Sequence, residues 1–155
     1  MAIDLTSIGV RTLWAAETTA GTKPTTAARF TGIKSIPELT SEPEALETTT
    51  LDALEFHTYI AGLKDLGGSL GLTANLSQDL KDEWDDMMTA FETASNAEKA
   101  LWMFFDIPGI TEAFAFTFQP TPMSPGAIEV NSVLETTLYV TPTNEPAWVT
   151  KPTVS

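Results

Sequence analysis

Leu66–Leu76 reads LGGSLGLTANL, and it is followed at once by a change of period. Leu66, Leu70, Leu72, Ala74 and Leu76 are apolar, with Gly68 the one gap, while Gly67, Ser69, Gly71, Thr73 and Asn75 are small or polar. That alternation is the signature of a strand with one buried and one wet face. From Leu80 the apolar residues recur at helical spacing: Leu80, Trp84, Met87, Met88 and Phe91, with Asp82, Glu83, Asp85, Asp86 and Glu92 between them. The spacing predicts an amphipathic helix over 79–95, capped by Ser77 or Asp79. Leu80, Trp84, Met87 and Phe91 are its docking residues. A lone amphipathic helix after a strand needs a sheet to lie on.

The flanking sequence supplies that sheet. Leu101–Ile107 is apolar on both faces, as in a strand covered on two sides. Asp106-Ile107-Pro108-Gly109 is a turn signal. Glu112–Pro120 alternates Phe114, Phe116 and Phe118 with Ala113, Ala115 and Thr117. Ala127–Val140 reads as one long strand with Ile128, Val130, Leu134, Leu138 and Val140 on one face and Glu129 and Glu135 on the other. Gly32–Leu39 reads as a strand that Pro37 confines to an edge, a bulge or an end. Thr48–Asp52 reads as a short β segment after an acidic turn at Glu42, Glu44 and Glu47. The expected fold is α+β, mainly antiparallel: a β-sandwich or half-barrel with one flanking helix.

The ends read differently. Residues 1–30 have little periodicity and are Thr- and Ala-rich, an extended N-terminal arm with at most a short strand near Val10–Ala15. Residues 142–155 form a Pro- and Thr-rich C-terminal arm. Trp14 and Trp148 are the arm anchors, and 31–141 is the body. Within it, the long inter-strand loop 51–65 carries Leu51, Leu54, Phe56, Tyr59 and Ile60, too apolar for an idle surface connection. It buries these residues either on a partner or over its own core.

Composition excludes several functions. With 155 residues and 43% hydrophobic content the chain suits one compact domain. No apolar run is long enough to span a bilayer, and Met1–Val10 lacks the basic start and apolar core of a signal peptide. There is no cysteine, hence no disulfide framework or thiolate metal site. Net charge is −13, from 21 acids and 8 bases. Four of those bases, Arg11, Lys23, Arg29 and Lys34, lie in the first 34 residues. A chain this acidic does not bind nucleic acid by neutralising phosphates, and it repels anionic membranes. His57, the single histidine, has no nucleophile motif near it. The acidic residues read as solvated faces rather than metal ligands, so neither catalysis nor a cofactor is expected.

The order of parts resembles the major tail tube proteins of long, non-contractile-tailed bacteriophages. The resemblance rests on Gly32–Leu39 (GIKSIPEL), Glu47–Asp52 (ETTTLD), Gly62–Asp65, the strand Leu66–Leu76, the helix, Asp106–Gly109, and Gly126–Leu138 (GAIEVNSVLETTL) before an arm with Trp148. It implies a structural virion protein, assembled in the host cytoplasm, whose six-fold rings stack head to tail into a genome-conducting tube. It implies that the loop from Leu51 and the terminal arms join successive rings. A tape measure protein and double-stranded DNA occupy the lumen of such tubes without specific binding, and terminator and distal tail proteins meet the ends. Ser69, Thr73, Asn75, Glu129 and Glu135 are then candidates for the lumen wall. Two alternatives stand beside this: a β-sandwich that binds a glycan or receptor, and another ring protein of the tail, terminator or distal.

Overall fold

The structure, a computed structural model, describes residues 9–38, 43–52, 56–57, 59–64 and 69–154. The elements are β1 (Arg11–Ala16), β2 (Thr26–Arg29), β3 (Ile33–Ser35), β4 (Pro43–Glu47), β5 (Tyr59–Lys64), β6 (Leu70–Asn75), α1 (Gln78–Asn96), β7 (Leu101–Asp106), β8 (Glu112–Pro120), β9 (Glu135–Pro142), β10 (Ala147–Thr150) and β11 (Thr153–Val154). They form two compact units, residues 1–37 with 69–155, and 38–68.

The first unit is a nine-stranded sheet in the order β11-β2-β1-β7-β8-β9-β6-β3, with β10 also on β8. Among the described residues only the β11–β2 pair is parallel. The fold is therefore α+β, a curled half-barrel with one helix. Its architecture follows from β8. Along one edge β8 pairs with β7. Its other edge is shared: Glu112–Ala115 pair with β10 and Phe118–Pro120 with β9. Where β9 departs, the sheet divides. One branch runs through β9 and β6 to β3. The other closes on itself, because β10 continues through Lys151 and Pro152 into β11, which pairs with β2. Strands β2, β1, β7 and β8 with the C-terminal pair thus make a closed circuit, hydrogen-bonded between strands and joined by the chain itself from β10 to β11.

The Phe/Ala alternation of β8 sets the contents of its two faces. Ala113 and Ala115 point into the closed circuit, where they form a buried cluster with Leu13, Ala15, Ala27 and Phe104. Trp102, Val149 and Val154 pack against it. Small residues fit because strands from opposite walls approach closely there. The opposite face carries the aromatics, including Phe105 on Phe116 at 5.7 Å and Phe116 on Phe118 at 6.3 Å between ring centroids. Helix α1 covers that side, against β1 and β8.

Helix α1 begins where Ser77 accepts a hydrogen bond from Leu80 N at 3.2 Å, which satisfies an otherwise unpaired first-turn amide. Leu80, Trp84 and Met87 are fully buried and Phe91 is half-buried. Trp84 packs at a tilt against Phe30 at 5.4 Å, Phe30 stacks on Trp14 at 6.4 Å, and Trp84 Nε1 donates to Thr121 O at 2.9 Å.

Four parts differ from the sequence reading. Much of the N-terminal segment, 1–30, is not an arm: β1 lies between β2 and β7, and Trp14 is half-buried within the sheet. The alanines of β1 and β2 carry little hydrophobic pattern yet suit a narrow interior. The C-terminal segment 142–155 supplies the closing strands, and Trp148 lies edge-on to Phe114 at 5.1 Å. The long strand 127–140 is replaced by a loop to Leu134 and then β9. High β propensity is overridden by a turn in which Asn131 is left-handed (φ 59) and Ser132 Oγ donates to Glu129 O. In the second unit the strand is β4, where an acidic turn was expected, and Thr48–Asp52 is loop and turn. Its partner β5 occupies the end of the expected loop 51–65. The Pro43 that suggested a turn is tolerated at a strand start.

Candidate assembly surface

The outward face of β6 and β9 is largely polar. Gly71 lies opposite Tyr139, Thr73 opposite Thr137 and Asn75 opposite Glu135. Burial of Leu70, Leu72, Ala74, Leu138 and Val140 on the other side fixes this orientation, since a one-residue slip would reverse it. Thr73, Glu129 and Glu135 come together around a shallow concavity of about 270 Å³, which Gly126, Ser132 and Thr137 also line. Asn75 is beside Glu135 by register, and Ser69 lies beyond the far end of β6, with its hydroxyl 3.2 Å from Thr141 Oγ1.

Lys34 Nζ donates to Glu135 Oε1 at 2.7 Å, and both side chains are exposed. The contact contributes little stability, about 0–1 kcal/mol. It does neutralise Glu135 locally. Glu129, on the adjoining loop, makes no ion pair among the described residues, so the two carboxylates differ in kind.

The loop between β8 and β9 is held at both ends. Thr121 N donates to Tyr139 O at 3.1 Å, Thr136 Oγ1 to Ser124 O at 2.6 Å, Gly126 N to Glu135 O at 2.9 Å, and Leu76 N to Leu134 O at 2.9 Å. Gly126 is obligatory, because a Cβ there would sit 2.6 Å from Glu135 O. Between these fixed ends Ile128, Val130, Val133 and Leu134 are exposed, Val130 to 91%. Sequence pattern had placed them on a strand face and so missed this patch.

The second unit is a hairpin of β4 and β5 with a register shift between Pro43 and Ala45. Leu46, Leu51, Phe56, Tyr59 and Ile60 are exposed, and Leu51 and Phe56 are the most open. Leu54 lies outside the described residues. His57 Nδ1 is 2.6 Å from Glu47 Oε1, which gives the single histidine a place within the hairpin.

At the end of the closed circuit Asp106 binds two cations. Arg11, its register partner, bonds Oδ2 through Nε at 3.0 Å and through Nη2, and Lys151 Nζ is 2.6 Å from Oδ1. Burial pushes the Asp106 carboxyl up, but the hydrogen bonds from Lys151 and Arg11, with their charges, outweigh it and hold it below the ordinary value. This carboxylate thereby ties β1 and β7 to the segment between β10 and β11.

Among the described residues no three acidic or histidine side chains are grouped to hold a metal ion. No helix there is long and apolar enough to cross a membrane. The arrangement offers apolar docking patches and a hydroxyl-rich sheet face.

The sequence matches no family model and no curated protein. The fold is nonetheless shared. A chain in the cryo-EM structure of the anti-feeding prophage (AFP) baseplate, 6-fold symmetrised, superposes with a TM-score of 0.65 over 97% of this chain and 98% of that one, at 13% identity. From end to end, the β-rich architecture described above is shared with that chain.

Proposed function

We propose that this chain is a structural, non-enzymatic subunit of a phage-tail-like particle, and that six copies form a ring. The observation that carries this reading is the end-to-end superposition on a chain of a six-fold baseplate. In the finer form of the proposal, rings stack head to tail into a tube that conducts the genome. The exposed apolar residues of the hairpin, Leu51, Phe56, Tyr59 and Ile60, join one ring to the next. A head-to-tail interface extends without closing along its axis, which is how such a tube grows. The hydroxyl-rich face of β6 and β9 lines the channel. The chain's acidity keeps DNA from adhering to it, within a screening length of about 8 Å. The tape measure protein and the DNA pass along this wall, and terminator and distal proteins cap the ends. The particle is assembled in the host cytoplasm and the chain resides in the virion.

A second reading is favoured by the neighbour's place in a baseplate: a ring that does not grow, serving as a terminal or distal component of the tail. Electron microscopy of the concentrated purified protein in negative stain separates the two. Long hollow tubes with six-fold cross-section support the tube; single six-fold rings support the terminal ring; monomers at every concentration count against both.

A further inference from the structure

Helix α1 ends beside the junction of β1 and β7, and a small cavity lies there. Ala94 O accepts from Ala97 N at 3.0 Å and from Lys99 N at 2.8 Å, and Glu98 is left-handed (φ 57). The chain thereby reverses and enters β7 at Leu101. The cavity has a volume of about 250 Å³, and Ala16, Ala90, Ala94 and Glu17 line it, as does Lys99. A cavity of about 150 Å³ already holds a benzene molecule. Glu17 is only 6% exposed. Its backbone N donates to Ala100 O at 3.0 Å, and its Oε1 accepts from Ala100 N at 2.6 Å. The carboxylate is therefore fixed in place, while Oε2 has no hydrogen-bond partner among the described residues. A buried carboxylate calls for more than one bond, since each oxygen can accept two. The helix adds to the demand: its C-terminal end is electronegative and its last turn carries no basic residue. Lys99 shares the cavity but forms no ion pair with Glu17.

We infer that this cavity binds a primary alkylammonium group, the chemistry of a lysine side chain, with its nitrogen on Glu17 Oε2 and its stem against the alanines. The walls suit a slender apolar stem, because Ala16, Ala90 and Ala94 leave room where larger side chains would close the space. The engagement of Oε1 by Ala100 N selects the cation. A guanidinium is a planar fork that matches two free carboxylate oxygens, whereas an ammonium is a compact point charge that needs one. Water is held back by the burial of Glu17, so the contact is stronger than an ion pair at the surface. Lys99, on the same cavity, is a competing positive charge rather than a partner. The inference is independent of the assembly reading.

The test titrates the isotope-labelled full chain with n-butylammonium chloride and follows the amide NMR signals, with sodium chloride at equal ionic strength as control. The amides of Ala94 and Ala100 should shift saturably, and n-butanol and n-propylguanidinium should bind at least about tenfold more weakly. Glu17→Gln keeps an acceptor for Ala100 N and should weaken butylammonium binding at least about tenfold. Ala90→Leu fills the cavity without touching the carboxylate and should abolish binding. Lys99→Met removes the competing charge and should tighten it. A capped Ala-Lys-Ala peptide that moves the same two amides identifies a protein lysine as the source of the group; butylammonium binding without peptide binding identifies a free amine. No saturable shift, equal binding of butanol, unchanged affinity in a folded Glu17→Gln, or loss of binding in Lys99→Met would each overturn the inference.

Discussion

Tyr139 stands directly across the ladder from Gly71, and its ring fills the space that a side chain at 71 would need. A Cβ on Gly71 would lie 3.3 Å from Tyr139 Cε1 and 3.0 Å from Thr137 Cγ2. The tyrosine shields a strand glycine that would otherwise leave the ladder open to water. Gly71→Val should cost about 1–3 kcal/mol, the usual cost of overpacking. Adding Tyr139→Ala should recover part of that loss, so the double variant is more stable than the two single effects predict. Urea denaturation of the four proteins measures the coupling.

Trp84 is where the helix, the aromatic face and the β8–β9 loop meet. Trp84→Ala should destabilise by about 3–5 kcal/mol. Trp84→Phe keeps most of the packing and loses the bond to Thr121 O; it should cost about 1–3 kcal/mol. Thermal melts followed by far-UV circular dichroism should rank wild type above Phe above Ala.

Stability should depend on acid through Asp106. Its folded pKa is depressed, so its contribution is fully present above the unfolded value of about 3.9 and is lost as pH falls through the lower folded value. Asp106→Asn should cost about 2–3 kcal/mol at pH 7, because it leaves Arg11 and Lys151 adjacent without their shared carboxylate. The gap between variant and wild type should shrink below pH 3.9 and not above it. Urea midpoints at pH 7, 4 and 2.5 test the direction.

The hairpin unit is compact in itself. Replacing 43–64 with a short Gly-Ser linker should leave the melting temperature of the rest within a few degrees, since surface changes away from a core alter stability by about 0.5 kcal/mol. In the proposed tube, the same variant should give rings or monomers and no filaments. Filaments of normal length in the micrograph would remove the hairpin from the stacking role.

Charge reversal separates the two carboxylates near the concavity. Glu129→Lys alters an open charge on a loop and should leave folding unchanged, while slowing genome release from particles if that face lines a channel. Glu135→Lys places two lysines together at Lys34 and should loosen β3, read as faster amide exchange. Equal release rates for wild type and Glu129→Lys in intact particles would move Glu129 off the channel wall.

Sequence pattern carried the helix, β6, β7 and β8, because each has a strong local period. The two-sided apolar character of β7 already implied a strand covered on both faces; that one of the two interiors is narrow appears only when Ala113 and Ala115 meet Leu13, Ala15 and Ala27. A short strand near Val10–Ala15 was expected, and β1 is there, but its place inside the sheet had no local signal, because its partner β7 is far away in the chain. The loop at 127–134 was misread because Val and Ile favour strands, whereas the left-handed turn at Asn131 depends on tertiary fixing of both loop ends. Thr73, Glu129 and Glu135 do lie together. The neutralisation of Glu135 was invisible, since it requires β3 to lie beyond β6 so that Lys34 reaches across to β9.

The closed circuit of strands has a consequence for how the chain is made. Arg11 and Asp106 are 95 residues apart, and the circuit needs residues 147–154 as well. During synthesis β1 and its neighbour β2 therefore emerge long before β7 and the C-terminal pair that complete the circuit. Pairing at such separation makes folding slow, on the order of milliseconds to seconds, and leaves unpaired edges open to wrong partners in the meantime. A ribosome pause or a truncation before residue 147 would release a chain that has its helix and seven of the nine strands of its sheet, but no means of sealing the narrow interior.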